Sequence, residues 1–356
     1  MIAALCAWML LSACRGGGEE IPLTDLSKLP DGQNLAHDYL DVTGIKAQPG
    51  MRIAVVVMDQ SDAYWQAVEE GAERAVELIN KQNELSGDDE VVVTFDGAGS
   101  NDIDAQINAI DAIVAENPSA ICIAAIDMVS CEPQLKVAQD SGIPVVMMDS
   151  GVESDLVTSL CGTDNAAAGR LAAEELAKAI GGQGEVAIVT HDLGMQTGKE
   201  RLEGIEDAFA AQQGVRVTAH IEQDAERPTE EQIEALLESD PQINGIVCTS
   251  EGTSEAALAA LEKAGREDIA LVGFDSGKEQ LSAVRDGREA GLVSQDPRAI
   301  GFASVTAAVR ASLGDAVDRR IRTGYIWIDQ NNVNSLEVLP YLYEEAPRAF
   351  KGIQSL

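Results

Sequence analysis

Basic residues are scarce in this chain: 25 Lys and Arg stand against 60 Asp and Glu over 356 residues, a formal net charge of −35. That scarcity excludes nucleic acid as a partner class, because a phosphate backbone is held mainly by Lys and Arg that displace its counterions, and no segregated basic patch offsets the acidity. Histidine is rarer still. His37, His191 and His220 are far apart and form no HExxH pair, and each reads as a surface residue. There is no CxxC or Cys/His metal spacing and no GxSxG nucleophile elbow. Gly97-Ala98-Gly99 follows an apolar run, but Asp102 stands where a dinucleotide fingerprint requires its third glycine. With no catalytic, cofactor or metal constellation assembled, the chain is expected to bind a molecule and not to be an enzyme.

Apolar residues make up 45% of the chain and charged residues 24%, enough core for a globular protein. At roughly 100 to 200 residues per domain the length predicts two domains. Residues 1–13 are apolar but too short to span a bilayer, and they end in small residues, as a signal peptide does. Leu11-Ser12-Ala13-Cys14 resembles the bacterial lipoprotein box, whose cysteine becomes the lipid-bearing first residue of the mature protein. The resemblance assigns lipidation to Cys14 and places the protein outside the cell membrane, anchored through lipid only. Residues 14–51 carry no sustained period and read as a flexible spacer, with ordered structure expected from Arg52. Of the remaining cysteines, Cys122 and Cys248 sit in apolar runs and read as small buried hydrophobes. A bridge between Cys131 and Cys161 stays open.

From Arg52 short β-branched runs alternate with helix-length amphipathic stretches. The pattern predicts strands over 53–58, 91–95, 120–125, 144–148, 186–190, 215–220, 245–249, 269–274 and 291–295. A first helix over 63–82 places Val68, Ala72, Val76 and Ile79 on one face. Continuous apolar strands separated by helices predict an α/β fold of parallel sheets covered on both faces, with ligands at the strand carboxyl ends. The alternation breaks at 156–165 and restarts, which divides the chain into two similar lobes facing a cleft.

Aromatics form only 4% of the chain, so the adjacent Tyr64 and Trp65, just after the first strand and Asp62, are informative. One ring is expected to pack inward and the other to line the cleft. The other strand ends carry Asp127, Asp149-Ser150-Gly151, His191-Asp192, Ser250-Glu251, Asp275-Ser276 and Gln295-Asp296. An aromatic face with several carboxylates and amides suits a neutral hydroxyl-rich molecule: its C–H faces stack on the ring and the acceptors take its hydroxyl protons.

These residues resemble the ribose/galactose class of periplasmic sugar-binding proteins, the extracytoplasmic receptors of ABC importers. The resemblance runs from Arg52 to about Tyr343. It is carried by Tyr64-Trp65 with Gly71, Asn101-Asp102 with Gln106, the run from Gly142 to Asp149, Thr163-Asp164-Asn165 with Gly169, Gly198-Lys199-Glu200-Arg201 with Gly204, Phe274-Asp275, and Ser294-Gln295 with Pro297. It implies two Rossmann-like lobes of the type I periplasmic binding fold, joined by a three-strand hinge near Thr163, Gln295 and Tyr325. Lobe 1 would comprise 52–163 and 296–324, and lobe 2 164–295 and 325–343, followed by a tail over 344–356. It further implies a monomer that captures a monosaccharide between the lobes and delivers it to an ABC permease. A sensory receptor subunit and a LacI-type regulatory domain are the alternatives.

By position the resemblance implies ligand contacts from Asp62, Tyr64, Trp65, Asp149, Ser150, Lys199, Ser250, Asp275 and Gln295. Ser150 and Lys199 stand where the family carries arginines, Ser250 replaces an asparagine, and Ala225 falls at the place of an opposing aromatic. Lys is a point donor where Arg is a planar fork, so the set of ligands held changes.

If the lipoprotein box operates, mass spectrometry of the N-terminal peptide from membranes will show a diacylglyceryl adduct on Cys14. An unmodified Cys14 or a mature N-terminus elsewhere refutes the anchor.

Overall fold

The computed structural model describes residues 38–97, 102–223 and 226–344. Cys14 and Ala225 lie outside the described residues. The chain runs through β1 (Arg52–Val57), α1 (Ala63–Asn83), β2 (Val92–Gly97), α2 (Ile103–Ala115), β3 (Ala120–Ile123), α3 (Glu132–Asp140), β4 (Val145–Met148) and β5 (Ser159–Thr163). It continues through α4 (Asn165–Ala179), β6 (Gly184–Thr190), α5 (Gln196–Ala210), β7 (Val215–Glu222), α6 (Thr229–Ser239), β8 (Ile243–Cys248), α7 (Glu251–Ala264), β9 (Ala270–Phe274), α8 (Lys278–Asp286) and β10 (Gly291–Gln295). Last come α9 (Pro297–Ser312), β11 (Arg320–Thr323), β12 (Tyr325–Ile328) and a 3₁₀ turn at Leu336–Tyr341.

Two six-stranded sheets result, in the orders β11-β5-β4-β3-β1-β2 and β12-β10-β9-β8-β6-β7. All the pairings are parallel except β10 with β12. The expected α/β fold is therefore present. β5, β11 and β12 escape the sequence pattern. β5 occupies the segment where the alternation breaks, because it is short and interrupted by Gly162, whose added Cβ would lie 3.0 Å from the Asp149 carbonyl.

Chain crossings between sheets occur after β5, after β10 and at Gly324 between β11 and β12. Helix α9 packs on α1 and the first sheet, and α4 packs on α5 and the second. Both helix pairs meet through glycines. A Cβ on Gly71 would fall 1.9 Å from the Arg298 carbonyl and one on Gly301 1.9 Å from that of Val68, while Gly204 stands in the same relation to Ala166. Only hydrogen fits there, so the backbones approach closely enough for the helices to pack as a unit.

The spacer expectation needs correction. Residues 38–51 are packed against the first lobe: Tyr39, Val42, Ile45 and Met51 join its core. The side-chain amide of Gln82 donates to the carbonyls of Val42 (2.9 Å) and Ile45 (3.0 Å), and Asp318 N–H donates to the Tyr39 hydroxyl at 2.8 Å. The segment lacks a helical or strand period, so pattern reading has nothing to register, yet four apolar side chains suffice to dock it. The cysteines are also settled: Cys122, Cys131, Cys161 and Cys248 are buried free thiols. Cys131 and Cys161 belong to different core clusters and do not pair. No helix among the described residues is long and apolar enough to cross a membrane.

Glu289, just before β10, is fully buried, and neither carboxylate oxygen is hydrogen-bonded. Burial pushes its pKa well above the ordinary 4.5, against the smaller lowering pull of the nearby Gln280 amide and of Arg288, so folding favours its neutral form. A folded-state pKa above the unfolded value contributes stability that is complete below the unfolded pKa and is lost as pH rises through the folded one. Glu289→Gln keeps the shape and cannot ionise. It should raise Tm at alkaline pH and have little effect near pH 4, as read by thermal melts; an equal shift at both pH values contradicts a buried titrating carboxyl.

Candidate functional site

The carboxyl ends of both sheets face one another across a cavity of about 660 Å³, within the usual size of small-ligand sites. From the first lobe come Met58, Asp59, Asp62, Tyr64, Trp65 and Asp149; from the second, among others, His191, Thr197, Arg201, Glu251, Asp275 and Gln295. Asp62 caps α1, accepting from Tyr64 N–H at 2.7 Å, and so fixes the helix entry that aims the aromatic pair. Tyr64 and Trp65 meet edge to face at 5.1 Å, and both line the cavity while more than nine-tenths buried. The expectation that the two rings would divide between core and cleft is thus half right.

Asp149 and Asp275 end β4 and β9, the third strands of their sheets, and both sit at positive φ, +61° and +72°. Such a left-handed turn is costly for a residue with a Cβ and persists where surrounding bonds enforce it. For Asp149 these are its N–H to the Cys161 carbonyl at 2.8 Å and the Tyr64 hydroxyl, which donates to Oδ1 at 2.6 Å. Asp275 accepts from the Gln295 amide at 2.9 Å and from Glu251 N–H at 3.2 Å, and its own N–H donates to the Val293 carbonyl at 2.8 Å. Gln295 in turn accepts from the Thr163 hydroxyl at 2.8 Å.

Burial lifts Asp149 to about 6, an effect that the Tyr64 hydrogen bond and Arg201 only partly offset. Burial likewise lifts Glu251 to about 7, against the Tyr343 hydroxyl that donates to it at 2.6 Å. His191 is pushed down to about 3, first by burial and then by Arg201, so it is neutral. Its own N–H donates to the Thr249 hydroxyl at 3.0 Å, with Nδ1 at 2.8 Å from the same oxygen and Nε2 at 3.0 Å from Thr197 Oγ1. The surface assignment of His191 is thereby corrected.

The structure brings Asp62, Tyr64, Trp65, Asp149, Ser250, Asp275 and Gln295 together in the cavity, although the Ser250 hydroxyl is engaged in capping α7. It does not bring Ser150 or Lys199 there. Ser150 is fully buried with its hydroxyl unpaired, because the turn at Asp149 sends only one of two adjacent side chains into the cleft. Lys199 is exposed at the rim, where it pairs with Glu153 of the other lobe at 3.0 Å. The arginine that matters is Arg201, two residues on. Its guanidinium lies 3.9 Å over the Phe274 ring, Nε donates to Asn165 Oδ1 (2.9 Å) and Nη1 to the Thr249 carbonyl (2.7 Å), and Nη1 stands 3.9 Å from Asp275. Its signal was the buried helical stripe of Thr197, Arg201, Ile205 and Ala208, spaced by four, four and three, from which Lys199 departs.

Tyr343 also went unforeseen. Its ring meets Tyr64 edge to face at 5.6 Å, and its hydroxyl accepts from Ser276 N–H at 3.1 Å. It supplies a further aromatic wall, and it arrives from a segment with no periodic pattern. Among the described residues no group of three or more His, Cys, Asp or Glu is arranged to hold a metal.

The family described as periplasmic binding protein domain matches residues 53–316. The chain belongs to this family. It is 27% identical over 238 residues to the xylitol-binding protein of Mycolicibacterium smegmatis, covering 66% of this chain and 65% of that protein. To the ribose import binding protein of Escherichia coli it is 29% identical over 187 residues, 52% of this chain and 63% of that protein. The matched region thus spans just under two thirds of the length of these relatives. An ABC transporter solute-binding protein of Agrobacterium vitis, solved with bound α-D-tagatopyranose, superposes with a TM-score of 0.76 at 26% identity, covering 83% of this chain and all of that one. A carbohydrate transporter solute-binding protein of Agrobacterium radiobacter in complex with D-arabinose gives 0.72 at 27%, with 82% and 98% covered.

Because Arg201 is buried and Lys199 more than half exposed, their truncations should differ sharply. Arg201→Ala removes the donor to buried Asn165 Oδ1 and the Thr249 carbonyl and the cation beside Asp275, and should cost about 3–5 kcal/mol; Lys199→Ala should cost less than about 0.5 kcal/mol. Urea midpoints of the two variants check this, and comparable losses refute the placement.

Proposed function

We propose that the chain is an extracytoplasmic solute-binding protein, tethered by lipid on Cys14, that closes two lobes over a polyhydroxylated ligand of the monosaccharide or polyol class and presents it to the permease of an ABC importer. The moving bodies are 52–163 with 296–324, now joined by the docked 38–51, and 164–295 with 325–343. It acts as a monomer and performs no turnover.

The observation that carries the reading is the pairing of Asp149 and Asp275 from opposite lobes in one cavity walled by Tyr64, Trp65 and Tyr343. Rings take the C–H faces of a sugar, and carboxylates take its hydroxyl protons. The solved relatives with bound sugars support the same class of ligand. A ligand that contacts both lobes at once favours the closed arrangement, since only differential contact shifts such an equilibrium.

A thermal-shift screen of pentoses, hexoses and polyols is expected to give one hit or a few related hits. A ligand at a thousand times its Kd adds about 4 kcal/mol, and solution scattering with it should show a smaller radius of gyration. A response confined to amino acids or peptides overturns the sugar reading, and an unchanged radius at saturation overturns lobe closure.

A further inference from the structure

The charges lining the cavity do not balance. Asp59, Asp62, Asp149, Asp192, Glu251 and Asp275 face it, Asp62 and Asp192 exposed and Asp59, Asp149, Glu251 and Asp275 wholly or partly buried, with Arg201 the one cation among the lining residues. Arg201 is already engaged by Asn165, the Thr249 carbonyl, Phe274 and Asp275. The other five carboxylates are met by neutral donors: Ser61 at Asp59, the Tyr64 backbone at Asp62, the Tyr64 hydroxyl at Asp149, Gly194 N–H at Asp192 and the Tyr343 hydroxyl at Glu251. Among the described residues none of these five forms an ion pair. Asp149 is more than nine-tenths buried, and Oδ2 is left without a hydrogen-bond partner in the described residues.

The aromatic walls add an independent feature. Tyr64 stands at 89° to Trp65 and at 90° to Tyr343, so three rings form a corner in the same cavity as the acids. Ring faces attract a cation, most strongly once water is excluded. A neutral sugar brings one donor and two acceptor lone pairs with each hydroxyl to a cavity already rich in acceptors. A protonated amine brings only donors and a compensating charge.

We propose that the cleft selects, within the class of ligand just inferred, molecules that carry a protonated amine beside their hydroxyls, that is, amino sugars or amino polyols, with the ammonium held by the carboxylates that line the cavity. The inference rests on the binding-protein reading and sharpens it. The upward shifts of Asp149 and Glu251 agree with it: burial is the first cause of each, Asp275 adds to both, and Glu344 and Glu255 add at Glu251, against hydrogen bonds from Tyr64 and Tyr343 and the pull of Arg201 on Asp149.

The test is titration calorimetry on the mature protein at neutral pH with matched pairs: D-glucosamine and D-glucose, D-galactosamine and D-galactose, 1-amino-1-deoxy-D-sorbitol and D-sorbitol, each with its N-acetyl derivative. At least one amine is expected to bind about tenfold or more tighter than its hydroxyl partner, acetylation to erase the gain, and binding to release protons into the buffer as Glu251 ionises. Glu251→Gln and Asp62→Asn, which keep size and, at Asp62, the helix cap, should shrink the ratio within the pair. Hydroxyl partners that bind as well as the amines overturn this inference and leave the sugar-binding reading standing. Absence of binding by every member of both sets overturns this inference, and the wider screen above then decides the sugar-binding reading. Should the variants fail to fold, the wild-type ratios and proton release decide alone.

Discussion

The side-chain amide of Gln295 is bonded on both sides, and the arrangement of the cleft depends on it. On one side it accepts from the Thr163 hydroxyl at the end of β5; on the other it donates to Asp275 in the cavity. Thr163 and Gln295 are the residues at which the chain leaves one sheet for the other, and Asp296 N–H, donating to the Gly324 carbonyl at 3.2 Å, ties in the remaining crossover. Three crossing segments joined edge to edge resist twist and shear and leave bending as the soft motion. Whatever engages Asp275 therefore pulls directly on the hinge.

The two lobes repeat one plan. Asp149-Ser150-Gly151 and Asp275-Ser276-Gly277 follow the third strand of each sheet with the same left-handed aspartate. The lobes have diverged in what they bring to the cleft. The first supplies stacking surface through Tyr64 and Trp65, and the second supplies the cation, Arg201, together with Glu251 and the neutral His191. A shared backbone thus sets where the carboxylates stand, and the side chains around them set what they accept.

The fold was legible because buried parallel strands leave continuous apolar runs between amphipathic helices, and those signals are local. β5 and β12 were illegible because a short strand with a glycine, or one half-exposed at a sheet edge, carries little apolar signal of its own. At the site, the residues immediately after strands were readable: Asp149, Asp275 and Gln295 follow from chain position. Arg201 was not, because a resemblance counted along the chain selected Lys199, whereas helical geometry assigns the inward face to 197, 201 and 205. Tyr343 reaches the cleft from a segment without secondary-structure period, and only the tertiary path places it there.

The acidity of the cleft bears directly on the lobe closure proposed above. Asp149 and Asp275 line the same cavity, and Asp149 is lifted to about 6, first by burial and then by that neighbour. Arg201 lowers Asp149 and stands 3.9 Å from Asp275, so it offsets part of the repulsion. The rim adds contacts of its own between lobes, such as Gly151 N–H to Gln196 at 2.7 Å and Arg320 to Glu200 at 2.7 Å, but the ion pairs among them are partly solvated and contribute little. The balance is left to the ligand. On the proposed closure, a molecule that gives hydrogen-bond donors to both aspartates relieves the repulsion between them that bringing the lobes together would increase. Under that proposal its binding energy favours the closed state, which is the differential affinity that lobe closure requires.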